Sequence, residues 1–234
     1  MAKQGKKFLA AAALVEKGKT YTITEAIALA KKASYVKFNE TVTVSFNLGI
    51  DARQADQQIR GAMVLPHGTG KSKTVLAITR NEEAARNAGA DFVGGKEMLD
   101  KIKTENWFGF DVIVATPDMM GELGKLGKLL GPKGLMPNPK TGTVSPDIAK
   151  AIAEVKAGKV TYRADKEGNM HVVAGQLSFD DEKLFENVKA VCNQVIKVKP
   201  QACKGIYIKN CVLSSTMGPS IKMNPESNYS LDKV

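Results

Sequence analysis

The sequence has few of the residues that bind metals or act as nucleophiles. It contains three cysteines, Cys192, Cys203 and Cys211, an odd number without any C-x-x-C spacing. This pattern favours reduced thiols over a disulfide framework or a zinc site. The only histidines are His67 and His171, too few for a histidine-rich metal cluster. We therefore expect no metal, no cofactor and no catalytic residues.

Long apolar runs are also lacking. A membrane-spanning helix needs about 18 or more apolar residues, and no stretch approaches that length, so we expect no membrane partner and a cytoplasmic location. The segment KQGKK followed by FLAAAALV imitates a secretory signal, but charges resume at Glu16, Lys17 and Lys19. An amphipathic helix is the preferred interpretation of this segment.

A phosphate-binding loop is present only in part. Residues 65–72 read LPHGTGKS and end like the pattern G-x-x-x-x-G-K-[ST], but Leu65 occupies the position of its first glycine. The pattern also needs a helix after the lysine, whereas 75–78 (VLAI) is a short apolar run typical of a strand. A nucleotide-binding enzyme using this part of the chain is the alternative function, and both observations argue against it.

What the sequence does have is positive charge. The 234 residues include 34 basic and 24 acidic side chains, giving a net charge of +10 and a pI near 9.4. Such a balance favours a polyanionic partner, most simply a nucleic acid. The alternative is a basic surface that serves solubility alone.

The middle of the chain alternates buried strands with helices. The apolar runs 75–78 and 110–116 are typical of strands covered on both faces, as in a parallel sheet. Helical patterns cover 82–88, 95–104 and 147–156. This order predicts an α/β domain.

The two ends share a different pattern. TVTVSFNL (41–48) alternates apolar and polar residues, which predicts an antiparallel strand with one wet face, and strands are also expected within 160–165, 170–177 and 205–213. Helices are predicted over 24–33, with Thr22 and Glu25 as a capping box, and over 181–196. We predict that 1–67 and 159–234 form one discontinuous α+β domain, into which 68–158 is inserted.

Charge is distributed unevenly between these predicted domains. Residues 68–158 hold 13 basic and 11 acidic side chains, which leaves 21 basic and 13 acidic for the outer domain. Because a charge that serves solubility has no reason to segregate, the outer domain is predicted to bind the nucleic acid.

Glycines mark both crossings between the predicted domains. Gly68 and Gly70 lie at the first crossing and Gly158 at the second. Because glycine tolerates large backbone rotations, we hypothesise a hinge at these three residues. The alternative is a rigid turn.

Three stretches together resemble the L-one family of bacterial large-subunit ribosomal proteins: NLGIDARQADQQIRGAMVLPHGTGK (47–71), LGKLLGPKGLMPNPKTGTV (126–144) and GIYIKNCVLSSTMGP (205–219). The resemblance covers essentially the whole chain. It implies a split α+β sandwich, whose antiparallel sheet comes from both termini, and an inserted Rossmann-like three-layer α/β domain.

The resemblance also implies a function. Family members bind large-subunit (23S) ribosomal RNA at the mobile stalk near the tRNA exit site and assist release of deacylated tRNA. In many bacteria they also repress their own operon mRNA. We therefore expect large-subunit rRNA, exit-site tRNA and this mRNA as partners, and a monomer away from the ribosome. A free translational regulator outside the ribosome would use the same surface.

The family's RNA-contacting positions match thirteen residues of this chain. These are Lys37, Phe38, Glu40, Thr41, Arg163, Asp165, Lys166, His171, Ser214, Ser215, Thr216, Met217 and Gly218.

The chemistry of these residues suits RNA. Lys37, Arg163 and Lys166 can meet phosphates, and the hydroxyls of Ser214 and Thr216 suit ribose 2′-OH groups. The flat or flexible side chains of Phe38 and Met217 can lie against a sugar or base, while Gly218 allows backbones to approach closely.

Several of these residues have plainer alternatives. Glu40 and Asp165 could accept from base amino groups or orient an arginine, but a surface salt bridge is as good an interpretation. Phe38 before a strand is more often a core residue, and His171 on a strand is more often an ordinary surface residue.

Tyr162 and Tyr207 are unsupported candidates for base stacking, so we expect recognition of shape and sugar edges in structured RNA.

The segment 124–142 is rich in glycine, lysine and proline. Its lysines Lys125, Lys128, Lys133 and Lys140 could contact RNA or tRNA, and this stays open. Its leucines Leu126, Leu129, Leu130 and Leu135 are expected to be buried on the inserted domain.

Overall fold

The computed structural model describes residues 5–16, 18–51, 53–203 and 205–225. Their secondary structure mixes helices with several sheets, which confirms the mixed α and β content that was predicted. Contacts divide the chain into two compact units, Met1–Gly70 with Val160–Val234, and Lys71–Lys159. The two predicted domains, one discontinuous (1–67 with 159–234) and one inserted (68–158), stay a prediction.

The described residues form nine strands and eight α-helices. The strands are β1 (Thr41–Leu48), β2 (Arg60–Val64), β3 (Val75–Ile78), β4 (Phe92–Gly94), β5 (Val112–Ala115), β6 (Lys159–Arg163), β7 (Asn169–Gln176), β8 (Ile208–Ser215) and β9 (Ile221–Lys222). The helices are α1 (Lys6–Ala12), α2 (Ile23–Ala33), α3 (Glu82–Asn87), α4 (Lys96–Glu105), α5 (Met120–Lys125), α6 (Gly127–Leu130), α7 (Ile148–Lys156) and α8 (Asp181–Lys197).

The first unit is organised around a four-stranded sheet with the order β7-β1-β8-β9, whose neighbouring strands are all antiparallel. Burial alternates along β1, where Val42, Val44, Phe46 and Leu48 are buried and their neighbours are half-buried. The buried face belongs to the same core as the apolar residues of α2 and α8. Burying each such side chain contributes about 1.5–3 kcal/mol, which fixes the register of the sheet.

The two helices over this sheet begin and end as their sequences predict. Thr22 and Glu25 form the capping box at the start of α2, with each side chain bonded to the other residue's backbone N–H. The stripe of α8 that contains Leu184, Val188 and Val191 is fully buried. The other face of the sheet, on which the polar residues of β1 are half-buried, is not covered by these two helices.

The second unit contains a parallel sheet with the order β4-β3-β5. All four residues of β3 are buried, since separate apolar clusters cover the two faces of the sheet. One cluster includes residues of α4, α5 and α6, and the other includes residues of α3 and α7. The strand predicted after Lys71 is thus confirmed, and no helix begins there to complete a phosphate loop.

The leucines of 124–142 follow the expected burial with one exception. Leu126 and Leu130 are buried and Leu135 packs against the same cluster, but Leu129 is 37% exposed, so its predicted burial is wrong. α6 is a single turn, and Leu129 lies on its outer side. Lys133 lies 3.3 Å from the centre of the Phe108 ring, a cation–π contact that engages this lysine within the unit.

Two further findings concern the whole described chain. All three cysteines are buried and free. None of the helices in the described ranges is long and apolar enough to cross a membrane.

Candidate nucleic-acid interface

The thirteen predicted RNA-binding residues belong to the first unit; twelve lie toward the two ends of its main sheet, and His171 lies between the ends on β7, paired with Ser45. Lys37 to Thr41 precede or begin β1, and Ser214 to Gly218 end β8, which pairs with β1 through Val42 and Ser215. Arg163, Asp165 and Lys166 lie before β7, beside the other end of β1, where Leu48 donates to the Gly168 carbonyl at 2.9 Å. Because β1 has eight residues, the two ends are separated by about 23 Å. We call them the Thr41 end and the Leu48 end.

Glu40 is the centre of the Thr41 end. Its side chain is only 1% exposed, so it makes no surface salt bridge. One carboxylate oxygen accepts from the backbone N–H of Met217 at 2.8 Å, and the other accepts from the Ser34 hydroxyl at 2.8 Å. The Glu40 carbonyl accepts from the Leu177 N–H at 2.8 Å. Glu40 therefore joins three chain segments, a role that neither sequence interpretation contained.

The loop after β8 is fixed by hydrogen bonds to β1, to Tyr35 and within the loop itself. The Thr216 hydroxyl accepts from the Thr41 N–H at 3.0 Å and lies 3.3 Å from the Thr41 carbonyl, to which it donates. The Ser215 hydroxyl accepts from the Gly218 N–H at 3.1 Å. A Cβ on Gly218 would lie 2.3 Å from this hydroxyl oxygen, so a larger residue there would displace the Ser215 side chain from its hydrogen bond. Tyr35 donates to the Met217 carbonyl at 3.0 Å.

Apolar side chains at this end point outward. Phe38 is 54% exposed and Met217 is 48% exposed. The expectation that an isolated Phe38 would belong to the core is therefore not met. Lys37 is exposed next to Phe38. A positive charge beside two exposed apolar side chains can meet a phosphate and an adjoining sugar or base together.

The uncovered face of the sheet joins the two ends with uncharged polar groups. Thr43 pairs with Ser214, and Ser45 pairs with His171, whose Nδ1 lies 2.9 Å from the Ser45 hydroxyl. Asn47 donates to the Asn169 side chain at 2.7 Å. Hydroxyl and amide groups of this kind suit ribose 2′-OH groups and base edges in a shallow RNA groove.

At the Leu48 end, Asp165 organises the turn between β6 and β7. One carboxylate oxygen accepts from the backbone N–H groups of Asn169 at 2.7 Å and Glu167 at 3.0 Å. The backbone hydrogen bond from Asn169 is the main reason that the pKa of Asp165 is lowered. Because this carboxylate is occupied within its own turn, neither the salt bridge nor the arginine-orienting role is seen at this residue.

Arg163 and Lys166 line a groove that also includes two arginines not predicted from the sequence. Arg53 and Arg60 contribute to its wall, together with Asp165 and Glu167. Both arginines lie inside the stretch 47–71, but its three basic and two acidic residues gave no clear local signal. The two arginines join Arg163 and Lys166 only because β2 pairs with β6, and hydrophobic periodicity did not predict this pairing.

The three predicted hinge glycines all have positive φ. The angles are 64° for Gly68, 76° for Gly70 and 97° for Gly158, a region in which other residues are strained. The Gly68 carbonyl accepts from the side-chain amide of the fully buried Asn187 at 3.1 Å, and Asn187 Oδ1 accepts from the His67 N–H at 3.1 Å. Rotation at these glycines stays a prediction.

Neither tyrosine considered for base stacking is available. Tyr162 and Tyr207 are 5% and 7% exposed. The Tyr162 hydroxyl accepts from Gln194 at 3.2 Å, and the Tyr207 hydroxyl donates to the Val195 carbonyl at 3.1 Å. Burial raises the pKa of Tyr207 to about 12. These rings are part of the core.

Among the described residues, no group of three or more histidine, cysteine, aspartate or glutamate side chains could hold a metal ion.

Comparison with known proteins gives one consistent family. Residues 29–219 match the Ribosomal protein L1p/L10e family. The large ribosomal subunit protein uL1 of Mycoplasma capricolum subsp. capricolum is 59% identical over 224 residues, which cover 95% of this chain and 99% of the relative. The protein of the same name from Mycoplasma mycoides subsp. mycoides SC is also 59% identical over 224 residues, with the same coverage.

Proposed function

This chain belongs to the Ribosomal protein L1p/L10e family, and we propose that it is a non-enzymatic component of the large ribosomal subunit that binds large-subunit ribosomal RNA. The first unit carries the RNA-binding surface. The exposed Phe38 and Met217, the second of which lies on a loop that Glu40 fixes from inside, are the observation on which this proposal depends most.

Most of the predicted residues at the Thr41 end and on the sheet face have one of two roles. Lys37, Phe38, Met217 and the residues of the polar sheet face are exposed enough to touch RNA. Glu40, Ser215 and Gly218 shape the loop through internal hydrogen bonds, so we propose that they position its exposed groups. A rigid, preformed loop suits a folded RNA, because little ordering entropy is lost on binding.

The site on the ribosome and the further partners follow from the family resemblance. We propose that the RNA is the mobile stalk near the tRNA exit site, where the protein assists release of deacylated tRNA. We also propose that it represses its own operon mRNA through the same surface, and that it is a cytoplasmic monomer when free of the ribosome. The two units are proposed to fold as a split α+β domain and a Rossmann-like insert.

A nucleotide-binding enzyme is less well supported. Lys71 is followed by β3 and not by a helix, so free helical N–H groups do not face a phosphate at that point. Tight ATP binding by the isolated fragment 68–158 would revive this alternative.

Met217→Ala provides the central test. The Met217 side chain is about half exposed, so its truncation should leave the melting temperature nearly unchanged. Its loss should weaken binding to a transcript of the large-subunit stalk RNA by about fivefold, since burying the exposed half of a methionine side chain contributes about 1 kcal/mol. Val64→Ala, which truncates another exposed apolar side chain of the same unit, is the matched control. Equal affinities of the Met217→Ala variant and the wild type in a filter-binding titration would contradict the proposal.

A further inference from the structure

We propose that Arg53 and Arg60 join Arg163 and Lys166 in a second phosphate-binding groove at the Leu48 end, so that RNA is held at both ends of the sheet. This inference rests on the proposed function and adds to it a separate contact with the RNA backbone. Arg53 and Arg60 match no position that the family resemblance assigned to RNA.

Backbone hydrogen bonds bring three chain segments together at this groove. The Ala164 N–H donates to the Ile59 carbonyl at 2.9 Å, which brings the start of β2 to the end of β6. The Leu48 N–H donates to the Gly168 carbonyl at 2.9 Å, which ties the turn 165–168 to the end of β1. Arg53 lies on the loop between β1 and β2, where its N–H donates to the Asp51 carboxylate at 3.1 Å. The groove is thus built on paired strands and an internally bonded turn.

The four basic side chains have no acidic partners. Across the described ranges, no carboxylate lies within salt-bridge distance of Arg53, Arg60, Arg163 or Lys166. The Asp165 carboxylate in the same groove accepts from backbone N–H groups instead. All four cations are exposed. With these four cations and the two carboxylates of Asp165 and Glu167, the groove lining has a net positive charge, which favours a polyanion there.

Three of the four cations are arginines, which suits phosphate. The planar guanidinium presents paired N–H donors that match two phosphate oxygens, whereas a lysine offers only a point charge. Arg60 and Arg163 belong to the paired strands β2 and β6, so their backbones are fixed before binding. This arrangement favours the sugar–phosphate backbone of RNA over base edges.

The two ends would contribute differently to binding. The groove supplies charge and therefore affinity and salt dependence, but phosphates carry no sequence information. The exposed Met217 and Phe38 lie at the Thr41 end of β1 and supply shape-dependent contacts. Removing charge from the groove should thus weaken binding to every RNA by the same factor and leave the preference for the stalk sequence unchanged.

The test compares Arg53→Gln/Arg60→Gln with the full-length wild type on a stalk RNA transcript from 50 to 300 mM KCl. Each phosphate contact contributes about 0.7–0.9 to the slope of log K against log [salt], so the slope should fall by about 1.4–1.8. Arg53→Lys/Arg60→Lys keeps both charges and should keep most of the slope. Lys189→Gln/Lys197→Gln removes two charges from α8, which covers the opposite face of the sheet, and should leave the slope unchanged.

The outcomes separate the two proposals. A wild type that binds stalk RNA, with the same slope in Arg53→Gln/Arg60→Gln, would overturn the groove and leave the proposed function intact. An equal loss of slope in the α8 variant would also overturn the groove, since net charge alone would then explain the effect. A wild type that ignores stalk RNA would overturn the proposed function together with this inference. Melting temperatures of all variants should match the wild type, because every substituted side chain reaches solvent.

Discussion

The carboxylate of Glu40 accepts a hydrogen bond from the backbone N–H of Met217 at 2.8 Å, across 177 positions of sequence. This contact connects the residue before β1 with the loop after β8, and it lies beneath two exposed apolar side chains. A buried carboxylate is unfavourable unless its oxygens are hydrogen-bonded, and here the Ser34 hydroxyl satisfies the second oxygen. Glu40 thus lies buried beneath the basic surface and stabilises it through hydrogen bonds, which explains why an acidic residue occurs there.

Glu40→Ala should therefore lower both stability and RNA affinity. Leaving the Met217 N–H and the Ser34 hydroxyl without their acceptor costs about 1–3 kcal/mol of unfolding free energy. The loop would also lose the contact that holds Met217 in place. Glu40→Gln keeps the shape and one acceptor oxygen for the Met217 N–H, and the Ser34 hydroxyl can turn to accept from the new NH2 group. This variant should therefore retain most of the stability in urea denaturation. If Glu40→Ala bound stalk RNA as tightly as the wild type, the proposed positioning role would be wrong.

Gly218→Ala should disrupt the same loop sterically. The new Cβ would lie 2.3 Å from the Ser215 hydroxyl oxygen, so one of the two must move. Overpacking of this kind costs typically 1–3 kcal/mol, and we expect about that loss in urea denaturation together with weaker RNA binding. Adding Ser215→Ala to Gly218→Ala removes the clashing oxygen and should recover part of the stability. A double variant no more stable than Gly218→Ala would show that this clash is not the cause.

Asp165 should make stability depend on pH in the acidic range. Hydrogen bonds from the Asn169 and Glu167 N–H groups lower its folded-state pKa below the ordinary value of 3.8. At a pH between the folded-state and unfolded-state pKa values, the unfolded chain binds more protons than the folded chain. The stabilisation is therefore complete above the unfolded-state pKa and is lost as the pH falls through the folded-state pKa.

Asp165→Asn, which cannot ionise, isolates that contribution. The variant should melt below the wild type at pH 7, and the difference should shrink as pH falls below about 4, close to the unfolded pKa. Asp118→Asn, which removes another carboxylate of the chain, serves as the control. A difference in melting temperature between Asp165→Asn and wild type that stays constant from pH 7 to pH 3 would contradict this account.

The main elements of the fold were predictable because their local signals agree with their environment. The alternation in 41–48 corresponds to β1, and the capping box at Thr22 marks the start of α2. The apolar run 75–78 coincides with β3, which is buried throughout. In both strands the hydrophobic pattern of the sequence matches the burial of the two faces, with alternation where one face is buried and a continuous run where both are.

Elements that depend on partners distant in sequence were missed. β2 is defined by pairing with β6, and β9 has only two residues, so neither shows a period of its own. The burial of Glu40 and the groove around Arg60 follow from such pairings as well. A local sequence pattern predicts that a charged residue is exposed, and only the tertiary structure shows which of its atoms are buried.

Asn187 is the clearest of these missed residues, and its removal is the last prediction. It lies in α8 and is fully buried, which for an amide requires partners on both oxygen and nitrogen. Its Oδ1 accepts from the His67 N–H, and its Nδ2 donates to the carbonyls of Gly68 at 3.1 Å and Ala174 at 2.8 Å. Asn187→Ala leaves three backbone groups without these partners, so we expect a loss of at least about 2 kcal/mol in urea denaturation.

The half-buried Asn193 of the same helix provides the matched control, since Asn193→Ala should change stability by no more than about 0.5 kcal/mol. Hydrogen exchange adds a local readout, because the His67 amide should exchange faster in Asn187→Ala. Protection of that amide at the wild-type level would show that Asn187 does not hold the 67–68 backbone. Faster exchange would show that Asn187 holds Gly68 against α8. Any rotation at the first crossing would then have to occur after Gly68, with Gly70 as the remaining glycine.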